Sequence, residues 1–130
     1  MNGVAQNLLA VGAGGFVGAI LRYGISGLLQ KKFPHFTPAG TLAVNVLGCV
    51  CIGALMAVVT ARQDQFSPRL QLFLVTGILG SLTTFSTFGY ETVELLREQE
   101  YRPAFWNVAA NLALGLPAVW LGWTVTRGLR

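Results

Sequence analysis

Long apolar runs alternate with short polar intervals along this chain. Residues 1–21, 33–61, 70–90 and 103–126 contain no Lys, Arg, Asp or Glu. A helix crossing the hydrocarbon core of a bilayer needs about 20 mostly apolar residues, and each run is long enough. The pattern predicts four helices, at about 4–29, 39–60, 69–96 and 103–127, which together form a single membrane domain over 1–130. The punctuation agrees with these limits. Lys31 and Lys32 end the first helix, and the prolines at 34 and 38 place a loop between the first and second. Arg97-Glu98-Gln99-Glu100 forms a polar turn, and Pro103 suits the first turn of the last helix.

Composition narrows the function classes. Charged residues make up 11% of the chain, against about 25% in a soluble domain, and the mean hydropathy is +0.58. An ordinary soluble enzyme, a nucleic-acid binder and a disulfide-stapled secreted domain are excluded. The net charge of +4 does not point to nucleic acid, because the positive residues sit at helix ends, where headgroups and topology explain them. The N-terminus does not read as a signal peptide, since no Lys or Arg precedes its apolar run. Cys49 and Cys51 are two apart within one helix and face different directions, so neither a disulfide nor a metal site is implied.

Small residues recur one turn apart in Gly14-x-x-x-Gly18, Cys49-x-x-x-Gly53, Gly77-x-x-x-Ser81 and Ala109-x-x-x-Ala113. In lipid such spacing lets helix backbones approach closely. Four helices enclose little by themselves, so a pathway through them calls for an oligomer. Four spans put both termini and the 62–68 link on one side with Arg62, Arg69, Arg127 and Arg130. The other side carries Lys31, Lys32, Arg97 and Arg102, and Arg22 is left at the edge of the first span. Orientation follows Lys/Arg bias, and a four–four tie gives none. The chain is expected to insert both ways and pair as an antiparallel homodimer.

The third helix carries the unusual chemistry. Three glycines and five hydroxyls fall between Gly77 and Gly89. Glycine and threonine weaken a helix, so an interruption is expected around Gly80–Thr84, in mid-membrane. Broken helices at that depth recur at ion sites, where half-helix N-termini favour anions and freed carbonyls favour cations. Phe85, Phe88 and Glu91 follow at three-residue intervals and read as one stripe, with phenyl edges that suit a small anion. Asn45 and Asn111 add amide donors, and Arg22 places a positive charge at a vestibule. The other three spans contain no carboxylate, which argues against coupled transport and for passive conduction rather than enzymatic chemistry.

Gly-x-x-Gly-Ala-x-x-Arg-Tyr from Gly15 to Tyr23, Gly-Thr-Leu-x-Val-Asn-x-x-Gly from Gly40 to Gly48, and Thr-Thr-Phe-Ser-Thr-Phe from Thr83 to Phe88 resemble the Fluc/CrcB family of fluoride channels. The likeness runs over essentially the whole chain. It implies an all-α membrane protein of four helices per subunit, the third broken, in an antiparallel dual-topology homodimer with two pores. It also implies passive, fluoride-selective export from the cytoplasm through a bacterial inner membrane, protecting the cell from fluoride. By the same resemblance, Phe85 and Phe88 form an aromatic box whose ring edges face the ion. Asn45 is the pore amide, Thr84 a pore hydroxyl, Glu91 an acid continuing the stripe and Arg22 the vestibule arginine. The carbonyls of Gly80 and Thr83 hold a structural sodium ion at the dimer interface. The fourth helix departs from the family pattern, reading Asn111, Gly115 and Val119 where hydroxyls are usual. A small multidrug transporter would need a carboxylate in the first span, which residues 1–30 lack. A holin-like or structural membrane protein gives no reason for the Thr83–Phe88 motif.

Overall fold

The computed structural model describes residues 3–34 and 38–129. Every regular element in them is helical. Helix α1 spans Gly3–Lys32 and α2 spans Ala39–Ala61, followed by a 3-10 turn at Gln63–Gln65. A third span, Pro68–Arg97, comprises α3 (Pro68–Gln71), a π-helical stretch (Leu72–Leu79), α4 (Gly80–Leu82) and α5 (Phe85–Arg97). Helix α6 (Tyr101–Gly128) completes the chain. Four of these stretches are long and apolar enough to cross a membrane. His35, Phe36 and Thr37, inside the loop expected after α1, lie outside the described residues, as does Arg130 of the charge tie.

Local chemistry sets the ends. Ser67 caps the third span, its hydroxyl accepting the Leu70 N–H at 3.2 Å, with Pro68 as the first helical residue. Between α5 and α6, Gln99 takes a left-handed conformation (φ 62) and the Glu100 N–H reaches back to the Leu95 carbonyl at 2.8 Å, so the chain reverses within three residues.

Glycine contacts decide which helices pack. A Cβ at Gly14 would lie 2.2 Å from the Phe73 carbonyl oxygen, and one at Gly18 would lie 2.2 Å from that of Ile78, so α1 lies directly on the π-helical stretch. On the other side of the bundle, a Cβ at Gly53 would meet the Val119 oxygen at 2.0 Å, and one at Gly122 would meet the Val50 oxygen at 2.2 Å. These contacts, with Asn45 against Asn111, set α2 and α6 side by side and parallel. The buried core accordingly consists of small residues such as Val44, Ala57 and Ala104. Large side chains point outward: Phe16 and Leu116 are each 70% exposed. Close backbone approach inside and bulky apolar groups outside is the arrangement that suits a lipid solvent.

Candidate functional site

The third span departs from helical geometry at two residues. Thr83 (φ −83, ψ 155) and Thr84 (φ −149, ψ 109) are extended between α4 and α5. In a continuous helix the Thr84 N–H would bond the Gly80 carbonyl. Instead it donates to Asn45 Oδ1 at 2.8 Å, and the Thr84 carbonyl accepts from Asn45 Nδ2 at 3.4 Å. One side-chain amide therefore takes both backbone groups of Thr84. Thr84 is also the N-cap of α5: its hydroxyl accepts the Thr87 N–H at 3.2 Å and donates to Thr87 Oγ1 at 2.9 Å. As a result the two amides that would normally serve the Gly80 and Thr83 carbonyls, those of Thr84 and Thr87, are both bonded to side chains.

From Asn45 a directed chain of hydrogen bonds crosses to α6 and returns to α5. Asn45 Nδ2 donates to Asn111 Oδ1 at 3.0 Å. Asn111 Nδ2 donates to the Asn107 carbonyl at 2.9 Å and to Asn107 Oδ1 at 3.1 Å. Asn107 Nδ2 donates to Thr92 Oγ1 at 2.9 Å, and that hydroxyl donates to the Phe88 carbonyl at 2.7 Å. The chain begins at the N–H of Thr84 and ends on a carbonyl one turn further along. It frames the first turn of α5. Buried polar groups need partners, and Asn107, only 5% exposed, has them on both ends of its amide.

Two cavities meet at Thr84. One, of about 370 Å³, is lined by Asn45, Cys49, Gly80, Thr83, Thr84 and Phe85. The other, of about 500 Å³, is bordered by Arg22, Ser26, Thr41, Thr84, Thr87 and Glu91. Thr41 donates its hydroxyl to Glu91 Oε1 at 2.7 Å, while Glu91 Oε2 is buried with no hydrogen-bond partner among the described residues. Arg22 and Glu91 share this cavity without pairing; among the described residues the one ion pair joins Arg97 to Glu94 at 2.7 Å. The Phe85 and Phe88 rings are 5.5 Å apart between centroids, inclined at 49°, and Phe85 is 83% exposed on the single chain.

The family model described as CrcB-like protein, Camphor Resistance (CrcB), matches residues 9–123. The chain belongs to the CrcB-like family. A Campylobacter jejuni relative (serotype O:6, strain 81116) named fluoride-specific ion channel FluC is 46% identical over 120 residues, covering 92% of this chain and 97% of its own. FluC 3 of Methanosarcina barkeri is 42% identical over 122 residues, 94% of this chain and 91% of its own. FluC of Chloroflexus aurantiacus (strain J-10-fl) is 42% identical over 117 residues, 90% of this chain and 92% of its own. All three are named as channels rather than enzymes. A CrcB-like chain with four apolar helices of spanning length is a multi-pass membrane protein.

Within this CrcB-like chain, the residues singled out by sequence fall into three places. Asn45, Thr84 and Asn111 meet in the amide network. Arg22 and Glu91 border the larger cavity, and Gly80, Thr83 and Phe85 border the smaller one. Phe88 joins the network through its carbonyl. Glu91, three residues beyond Phe88, accepts the Thr41 hydroxyl on its carboxylate at 2.7 Å. Sequence reading passed over Thr41, Thr92 and Asn107. Asn107 carried a signal, since it lies four residues before Asn111 on the same helical face.

Proposed function

We propose that this chain is a fluoride-selective passive ion channel of a bacterial inner membrane that exports cytoplasmic fluoride and so protects the cell. The observation that carries the reading is near full-length likeness, at 42–46% identity, to relatives named fluoride-specific channels. Local chemistry supports it. Fluoride is small, strongly hydrated and a strong hydrogen-bond acceptor, so its path must replace water with short donors while leaving no room for larger halides. Amides, threonine hydroxyls and phenyl edges do this without a fixed counter-charge that would hold the ion. In this reading Asn45, Thr84, Phe85, Phe88, Glu91 and Asn111 lie along the fluoride path, and Arg22 draws the anion into the vestibule. An ion entering the smaller cavity competes first for the long 3.4 Å bond from Asn45 to the Thr84 carbonyl.

The functional unit in this proposal is an antiparallel dual-topology homodimer, with the third helix broken in mid-membrane. The even split of Lys and Arg between the two sides supports it, as does the exposure of Phe85: a ring that is 83% accessible on one chain encloses an ion only when a second chain covers it. A structural sodium ion at the dimer interface belongs to the same proposal. The Gly80 and Thr83 carbonyls fit a hard cation, since neither receives the amide of a continuous helix and both border one cavity. Two such oxygens from each of two chains would make most of a coordination shell.

The test is purified protein in liposomes loaded with fluoride or chloride, with efflux followed by ion-selective electrodes. Fluoride leaves and chloride stays. Absence of fluoride efflux, or equal efflux of chloride, overturns the proposal.

A further inference from the structure

An apolar slot on the outer side of the bundle is unrelated to the polar network. Among the described residues no Cα of α1 comes within 8 Å of one of α6, and between the two helices α2 is buried at Ala39 but half-buried at Ala43 and Val46. The α2 side of the slot is Ala39, Leu42, Ala43 and Val46; Leu29 and Phe33 of the α1 end form one wall and Leu114 of α6 the other. Its volume is about 530 Å³, and no charged residue lines it among the described residues. From Ala39 to Val46 it descends about 10 Å along the helix axis, inward from the membrane face at which α1 ends.

The mouth of the slot has a charge. Helix α1 closes on Lys31 and Lys32, both exposed. The Lys32 ammonium lies 5.8 Å from the centroid of the Phe33 ring, which is itself a wall of the slot. A cation over an aromatic face therefore stands at the wall of an apolar slot. We infer that this slot holds an acyl chain of an anionic phospholipid, whose headgroup phosphate rests against Lys32 and Lys31. The charge selects an anionic lipid over a zwitterionic one, and the wholly apolar lining of the slot suits its acyl chain. A helix from a second copy would bring its axis 8–10 Å from α2, into space that Leu29, Phe33 and Leu114 occupy. A single acyl chain fits between them. The inference depends on the membrane location of the protein and is independent of its permeation activity.

Native mass spectrometry of the purified full-length protein, with added phosphatidylglycerol or phosphatidylcholine of matched acyl chains, tests this. The wild type retains phosphatidylglycerol in preference by about fivefold for each lysine engaged. The Lys31→Gln/Lys32→Gln variant retains both lipids equally, while Arg62→Gln, in the link after α2, keeps the wild-type preference. Ala43→Phe, which fills the slot, lowers retention of both lipids; Leu114→Trp does the same from the exposed wall without loading the α2 side. Equal retention of the two lipids by the wild type overturns the inference, as does a surviving preference in the double lysine variant. Slot-filling variants that bind lipid normally but change the oligomeric state assign the slot to a second copy, and overturn it as well.

Discussion

Replacing Asn45 by alanine removes the group that takes both backbone partners of Thr84. Three hydrogen bonds of wild-type length 2.8, 3.0 and 3.4 Å disappear together. The longest carries little weight. The other two leave the Thr84 N–H and Asn111 Oδ1 without partners, at about 1–3 kcal/mol each. The break also has a way to repair itself, because the freed Thr84 N–H can swing to the Gly80 carbonyl and continue the helix. That recovers one bond and leaves a net destabilisation of about 1–3 kcal/mol, mostly from Asn111. It also changes the direction in which α5 leaves α4, and with it the position of Phe85. Asn45→Ala should therefore fold, lose that increment in a denaturant titration in micelles or bicelles, and conduct little fluoride. Hydrogen exchange at the Thr84 amide reports whether the helix has healed. A variant with wild-type stability to within about 0.5 kcal/mol and undiminished fluoride efflux would refute the clamp.

Asn107→Ala removes a donor to Thr92 and an acceptor for Asn111, yet Asn111 keeps its 2.9 Å bond to the residue 107 carbonyl and Thr92 still bonds Phe88; the loss, by the same titration, is about 1 kcal/mol and smaller than for Asn45→Ala. Gly122→Ala drives a methyl into the Val50 oxygen that a Cβ would approach to 2.2 Å, which costs about 1–3 kcal/mol, whereas Gly12→Ala, with nothing within 4 Å, leaves thermal stability unchanged or raises it. Phe85→Ile and Phe88→Ile each reduce fluoride efflux from liposomes while elution on size exclusion stays as wild type. Normal conduction by both would remove the rings from the ion path.

The four spans were legible because the bilayer imposes a length and a lack of charge that no packing detail can override; α2, expected over about 39–60, runs Ala39–Ala61. Glycine contacts were partly legible. Gly14 and Gly18 do meet the third span, but Ala113 of the Ala109-x-x-x-Ala113 pair is exposed, since small residues permit close approach without specifying a partner. Composition marked residues 77–89 as poor helix. Which amides leave the helix is decided by Asn45, 39 positions from Thr84, a tertiary fact. The π-helical winding of Leu72–Leu79 had no sequence signal, for Leu-Phe-Leu-Val-Thr-Gly-Ile-Leu reads as an ordinary apolar run. It coincides with the close approach of Gly77 to Gly14, a tertiary contact that the run of residues does not announce.

The polar network and the scarcity of charge belong to one physical problem. A pair of extended residues in the middle of a span exposes peptide groups that lipid cannot satisfy. A charged clamp would meet that need, but would also bind a passing ion too tightly to release it. Neutral amides avoid this: each is donor and acceptor at once, so the bonds can run in one direction from Thr84 through three asparagines and a threonine to Phe88 with no net charge. The one carboxylate nearby, Glu91, is kept apart. It sits on the other side of Thr84, bonded to Thr41 and facing the cavity of Arg22. The neutral frame and the single acid thus lie on different sides of Thr84, which lines both cavities and is the residue at which the two environments meet.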